Sequence, residues 1–270
     1  MPAKYQTIGG VATLVQHRGP TTLPGAPPDI SGGPVVLCLH ESGMGGGSFA
    51  GLLDALAPTH SPIAFDRPGH GRSGGLDAID SVPAMAEHAA GLLEAYGLDD
   101  VIVVGEGTGS AVAIELAVAT PTAVAALVLI GGAAASHDVD AEIEALAAIT
   151  AGRARREFDR TGYAPDTDRS VYQRAFGVWV KTDPRATLGE RRALAAWSLG
   201  DRAASLTCPV TVVIGDHEED AWAEAARALA GSLPRGDTAT LAGAGRRGVL
   251  EQPEAVAALI GSLTTTGATT

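Results

Sequence analysis

The chain has 270 residues, enough for one large α/β domain or a core with an inserted cap, and its 46% hydrophobic content excludes wholesale disorder. Aromatics make up only 4% while glycine alone counts 35, so the core is expected to pack small side chains closely. With 31 carboxylates against 19 Lys plus Arg the formal charge is −12, which repels phosphate backbones and anionic lipid and argues against nucleic-acid or membrane partners.

In chain order, residues 4–8 and 11–17 read as extended, followed by a Pro/Gly-rich connector over 19–34. The run Val35-Val36-Leu37-Cys38-Leu39 has no polar alternation, as expected of a strand buried on both faces. A glycine-rich loop (41–47) leads into an amphipathic stretch at 48–57, then a strand at 63–65 and a loop, Asp66 to Gly74. A helix is predicted at 83–96, a strand at 101–104, a tight turn at 105–109, a helix at 110–119 and a strand at 126–130. Strands alternating with helices across short loops imply an α/β class with a mostly parallel sheet and helices on both faces.

That rhythm breaks over 136–207, where charged helical patterns (141–149, 171–180, 188–199) appear without a convincing strand. It resumes with strands at 210–214 and 238–241 and helices at 220–231 and 253–263; the tail, 264–270, is expected to fray. The organisation is therefore a core of 1–135 and 208–270 interrupted by a helical cap at 136–207. Cys38 and Cys208 lie in or beside apolar runs and read as buried thiols of a reducing cytoplasm. The N-terminal MPAKYQTIGG has no apolar core of signal-peptide length, so a cytoplasmic location is expected. The partner expected is a small-molecule substrate; no cofactor or metal is called for, and a homodimer is left open.

Four segments carry a resemblance. Leu39-His40-Glu41-Ser42-Gly43 follows a strand, the Phe65 to Gly74 run follows the next, and Val104-Gly105-Glu106-Gly107-Thr108-Gly109 joins strand to helix. Near the end come Gly243-Ala244-Gly245-Arg246 and Leu250-Glu251-Gln252-Pro253-Glu254. In this order they resemble the α/β-hydrolase superfamily, which implies that fold with its inserted cap, an oxyanion loop at His40, a nucleophile elbow at Gly107 and a histidine slot at Arg246.

The resemblance also shows what has changed. Gly107 stands where the Gly-x-Ser-x-Gly elbow carries its nucleophile, and it has no side chain. Ser110 falls inside the helix and Thr108 off the tip, so neither restores the covalent route. Arg246 fills the histidine slot, and a guanidinium cannot shuttle protons near neutral pH. The acid slot falls on Glu218, with Asp216 and Asp220 as weaker candidates. Arg246 then either pairs with Glu218 structurally or projects into the pocket to hold a substrate carboxylate, phenolate or enolate.

Glu106, just before the vacated position, is a candidate base if its carboxylate is desolvated. The oxyanion hole, built from the backbone N–H of Thr108 and of Glu41 or Ser42, is expected to outlive the triad. His40 is either a base or a structural histidine; His70 reads as structural and His217 as exposed. In the cap, Trp179 and Trp197 are candidate substrate contacts or cap core, as are Phe176 and Tyr163, and the basic run 153–156 reads as a solvated helix face. These residues suggest a non-covalent enzyme of the fold acting on a small apolar or polycyclic substrate by cyclisation, elimination, decarboxylation or isomerisation, as in specialised metabolism. A silent ligand-binding protein, and a hydrolase that activates water with a carboxylate, are the alternatives.

Overall fold

The computed structural model describes residues 2–23, 25–75, 77–132 and 139–266, with side chains as far as 263. Its centre is an eight-stranded sheet in the order β1-β2-β4-β3-β5-β6-β7-β8. The hairpin β1 (Ala3–Ile8) and β2 (Val11–His17) is antiparallel, and β2 runs antiparallel to β4 (Ser61–Phe65). Every other pairing is parallel, through β3 (Val35–Leu39), β5 (Val101–Glu106), β6 (Val124–Ile130), β7 (Val210–Gly215) and β8 (Gly236–Leu241).

The central strands are apolar along their length because both faces are covered. Leu37, Leu39, Val103, Leu127 and Leu129 pack with α2 (Val82–Tyr96), α3 (Thr108–Ala119) and α7 (Asp220–Ser232). Their neighbours Val36, Cys38, Ile102, Val104 and Val128 pack on the opposite face with α1 (Ala50–Leu56) and α9 (Pro253–Thr266). This alternation is the two-residue period of a strand. Helix α3 is buried from Thr108 to Ala117, and Gly109 lets it approach β3 so closely that a Cβ there would lie 2.0 Å from the Leu39 carbonyl oxygen. The thiols of Cys38 and Cys208 are free and buried, as expected.

Between β6 and β7 the chain leaves the sheet for α4 (Val139–Thr150), α5 (Arg169–Trp179) and α6 (Pro184–Ala195), with no strand among the described residues of that segment. The expected core–cap boundary at 135/136 lies outside the described residues. Helix α6 starts four residues earlier than its apolar pattern suggests because Asp183 caps it, accepting from the Arg185 N–H at 2.8 Å with Pro184 next in line. It is tied to the core by a buried fork: Arg67 Nε and Nη2 donate to Glu190 at 2.5 and 2.7 Å.

Two expectations need correction. The run 153–156 is not a helix face: α4 stops at Thr150, and Arg156 stacks 4.0 Å over the Trp179 ring and donates to the Thr182 carbonyl at 2.6 Å. The last helix continues to Thr266, beyond the expected 263; positions 267–270 lie outside the described residues. Among the described residues no helix is long and apolar enough to cross a membrane. The carboxyl ends of β3, β5, β6, β7 and β8 all meet one edge of the sheet, where ligands bind in open α/β folds.

Candidate active site

At that edge Gly107 joins β5 to α3 with φ 55° and ψ −117°, a conformation that glycine tolerates best. The turn expected of an elbow is therefore present without a nucleophile. Its place is taken from elsewhere in the chain: a Cβ built on Gly107 would stand 1.3 Å from Oε2 of Glu41, on the loop after β3.

The Glu41 carboxylate is bound by the very groups expected to form the oxyanion hole. Ser42 N–H donates to Oε1 at 2.6 Å and Thr108 N–H to Oε2 at 3.2 Å. The Thr108 hydroxyl adds a bond to Oε1 at 3.1 Å and pairs with the Ser42 hydroxyl at 2.7 Å. Thr108 opens α3, so the helix dipole also favours an anion there. Burial pushes the Glu41 pKa up, but the charges of Arg191 and Arg247 and these hydrogen bonds outweigh it and hold the carboxyl below its ordinary value. Arg191 of α6 bridges Glu41 and Glu142 of α4, at 3.3 Å to each. The two backbone N–H groups expected to form the hole thus converge on the protein's own carboxylate.

Two adjoining cavities open from this point. The inner one, about 80 Å³, is lined by Glu41, Gly107, Thr108, Trp222, Arg246 and Arg247 among others. The outer one, about 260 Å³, has an apolar wall of Met44, Leu146, Ile149, Phe158 and Trp179 and shares Arg191 and Arg247 with the first. Tyr163 borders the outer cavity, its phenol pushed up to about 12 by burial.

Arg246 occupies the histidine slot and lines the inner cavity, but its guanidinium is engaged. It lies 3.6 Å from Glu218, 3.5 Å from Glu219 and 4.4 Å over the Trp222 ring. Glu218, pushed up to about 7 by burial, thus faces a guanidinium rather than an imidazole. Asp216 is used locally, accepting from the Gly243 and Ala244 N–H groups. Asp220 opens α7.

Several candidates move away from chemistry. Glu106 is buried on the Val104 face of β5, under α8 (Gly248–Glu251), and does not line the inner cavity. Burial pushes its carboxyl up to about 8, against the pulls of Arg247 and of the Val249 backbone N–H. Its carboxyl lies in the core beneath α8 rather than on the wall of the inner cavity. His40 is structural: Nδ1 donates to the Glu41 carbonyl at 2.8 Å, Nε2 accepts from the Arg67 N–H at 3.0 Å, and burial first, then Arg67, hold its pKa well below the ordinary value. His70 sits against Glu190 at 3.3 Å. No imidazole among the described residues reaches the Thr108 hydroxyl, whose side chain faces the inner cavity rather than away from it.

In the segment between β6 and β7 the two tryptophans part. Trp179 walls the outer cavity, whereas Trp197 packs against the opposite core layer and donates to Glu115 at 3.0 Å, so it is not a substrate contact. Phe176 is exposed, edge-on to Phe158 and tilted against Trp179. His217 is exposed, as expected. Sequence reasoning missed Arg247, Arg191 and the Glu41 carboxylate as site groups. Only Glu41 gave a signal: a carboxylate where the loop pattern wants glycine.

Residues 36–259 match the model of the Alpha/beta hydrolase family. Over 77 residues the chain is 38% identical to "Putative carbamate hydrolase RutD" of Azorhizobium caulinodans, a match covering 28% of each protein. An esterase from Exiguobacterium antarcticum superposes with a TM-score of 0.83 at 17% identity, over 97% of this chain and 100% of that one. A thermophilic esterase from Thermogutta terrifontis gives 0.80 at 19%, over 98% and 99%. At such identities the structural likeness is one of fold.

Proposed function

The chain belongs to the α/β-hydrolase family, and on that premise we propose that it is an enzyme working without a serine nucleophile, with the Glu41 carboxylate as general base toward a small, largely apolar carbonyl compound. The observation that carries this reading is the position of Glu41 Oε2, in the seat of the missing nucleophile and open to the inner cavity. A substrate carbonyl entering the hole competes for the Ser42 and Thr108 N–H groups. Each donor that Glu41 gives up removes a cause of its low pKa, so the carboxylate gains basicity as the substrate oxygen gains its hydrogen bonds. Hole and base side by side suit removal of a proton next to that carbonyl, the step shared by isomerisation, elimination and many cyclisations.

A second reading is favoured by the size of the inner cavity. At about 80 Å³ with polar walls it suits water beside Glu41. The carboxylate would then activate that water, and the outcome would be hydrolysis of an ester or lactone.

One set of assays tests both. Aryl ketones such as 1-indanone are followed by NMR in D₂O for deuterium uptake next to the carbonyl, and 4-nitrophenyl acetate and dihydrocoumarin for hydrolysis. Glu41→Gln should abolish whichever reaction is found, and a fluorophosphonate should label nothing. Turnover unchanged in Glu41→Gln would remove Glu41 from the mechanism; no turnover on any substrate class would leave a ligand-binding protein.

A further inference from the structure

Three arginines line the inner cavity, and two are committed. Arg191 is shared between Glu41 and Glu142, and Arg246 between Glu218 and Glu219. Arg247 is different: among the described residues no carboxylate oxygen lies at ion-pair distance from its guanidinium, and no hydrogen bond occupies it. It is half-buried and borders both cavities, at the junction between the polar well and the apolar chamber. Burial disfavours its charge, and surrounding carboxylates, Glu41 first, more than offset that. Of the other arginines on the outer cavity, Arg191 is committed as above, and Arg156 is stacked on Trp179 with Nη1 on the Thr182 carbonyl, its buried Nη2 held beneath that stack without a hydrogen bond.

We propose that Arg247 is an anion anchor, and that the ligand of the outer cavity is a small monocarboxylate with an aromatic or alicyclic body. A half-buried guanidinium without a partner presents a planar pair of donors, which a carboxylate satisfies with two parallel hydrogen bonds. The pairing of the three guanidiniums favours a single negative charge. Arg191 and Arg246 are each held between two carboxylates, so a phosphate's second charge would have to compete with Glu41, Glu142, Glu218 or Glu219 for a cation already engaged. The outer cavity, about 260 Å³, lies near the lower end of the roughly 300–1,000 Å³ of small-molecule sites, and its apolar wall suits one or two rings. The proposal rests on the reading above only in that Glu41 faces the bound molecule; the anion site itself does not need Glu41 to be a base.

The test is calorimetric titration of the whole chain with 3-phenylpropanoate, its amide 3-phenylpropanamide, and phenylphosphonate. The carboxylate should bind at least tenfold more tightly than the amide, and the dianionic phosphonate more weakly than the carboxylate. Arg247→Met should bind the amide as the parent does but lose the preference for carboxylate, and Arg247→Lys should keep part of it. Equal binding of acid and amide by the parent protein overturns the proposal, as does a preference that survives in Arg247→Met or a phosphonate that binds best. Binding is read without turnover, so an inactive chain that selects carboxylates sinks the Glu41 mechanism and leaves this site standing.

Discussion

Oε2 of Glu41 and the missing side chain of Gly107 claim the same space, 1.3 Å separating the oxygen from where a Cβ at 107 would sit. The glycine is therefore a condition for the carboxylate's seat as well as the loss of a nucleophile. Gly107→Ser should destabilise the protein by about 2–4 kcal/mol, through a strained backbone at positive φ and overlap with Glu41. Adding Glu41→Gly removes the overlap, so the double variant should be more stable than the sum of the single effects by about 1–3 kcal/mol in urea unfolding. Simple additivity would show that the two positions do not share that space.

Glu106 makes stability depend on pH in a defined direction. Its folded pKa, about 8, is raised above the ordinary carboxylate value of 4.5, so the folded state holds its proton longer than the unfolded chain does. Stability is full below about 4.5 and is lost as the pH rises toward 8. At roughly 1.4 kcal/mol per unit the upper bound is about 5 kcal/mol. Glu106→Gln keeps the shape without the ionisation, so it should be more stable than the parent at pH 8 and nearly equal to it at pH 4.5. A difference between the two proteins that stays constant from pH 4.5 to pH 8 would mean that Glu106 is ionised in the fold.

What the sequence made legible follows from how local each signal is. The apolar runs at 35–39 and 101–104 and the glycines around position 107 fix strand, turn and helix through neighbours in the chain, although the second strand runs on to Glu106. The empty nucleophile seat was equally readable, because it is a residue type at a turn. The group that fills it was not: Glu41 reaches Gly107 across 66 positions of sequence, and a side chain's direction out of a loop has no periodicity to betray it. Arg246 and Arg247 are adjacent and chemically identical, and only the positions of Glu218, Glu219 and Trp222 engage one and leave the other open. Glu106 was expected at the pocket floor from its place beside Gly107, yet successive strand residues point to opposite faces, and it falls on the core side with Val104.

If Glu41 is the base, Arg191 sets the acid limb of the pH–rate profile. The guanidinium stabilises the ionised carboxylate at 3.3 Å, so its removal raises the pKa. Arg191→Met should move the acid limb to higher pH by about 1 unit or more, with a smaller change in the rate at the plateau. A profile that keeps its acid limb while losing activity uniformly would assign Arg191 a purely structural part.

The loop that carries Glu41 is held from behind by Arg67, which donates its backbone N–H to His40 Nε2 and its Nη1 to the His40 carbonyl while its fork grips Glu190. Arg67 and Glu190 are each 1% exposed, and the guanidinium beside Glu190 holds that carboxyl well below its ordinary range despite burial. Because the folded pKa is depressed, this contribution is present at neutral pH and lost only as the pH falls below the usual carboxylate range. Glu190→Gln leaves a buried guanidinium without its counter-charge and should cost about 3–5 kcal/mol at pH 7, whereas replacing both partners, Arg67→Met with Glu190→Leu, should cost less than that single change. Since the same guanidinium positions His40, Glu190→Gln should also weaken ligand binding at the Glu41 site under conditions where circular dichroism shows the variant folded. Full binding in a folded Glu190→Gln would mean that the loop holds its shape without the fork.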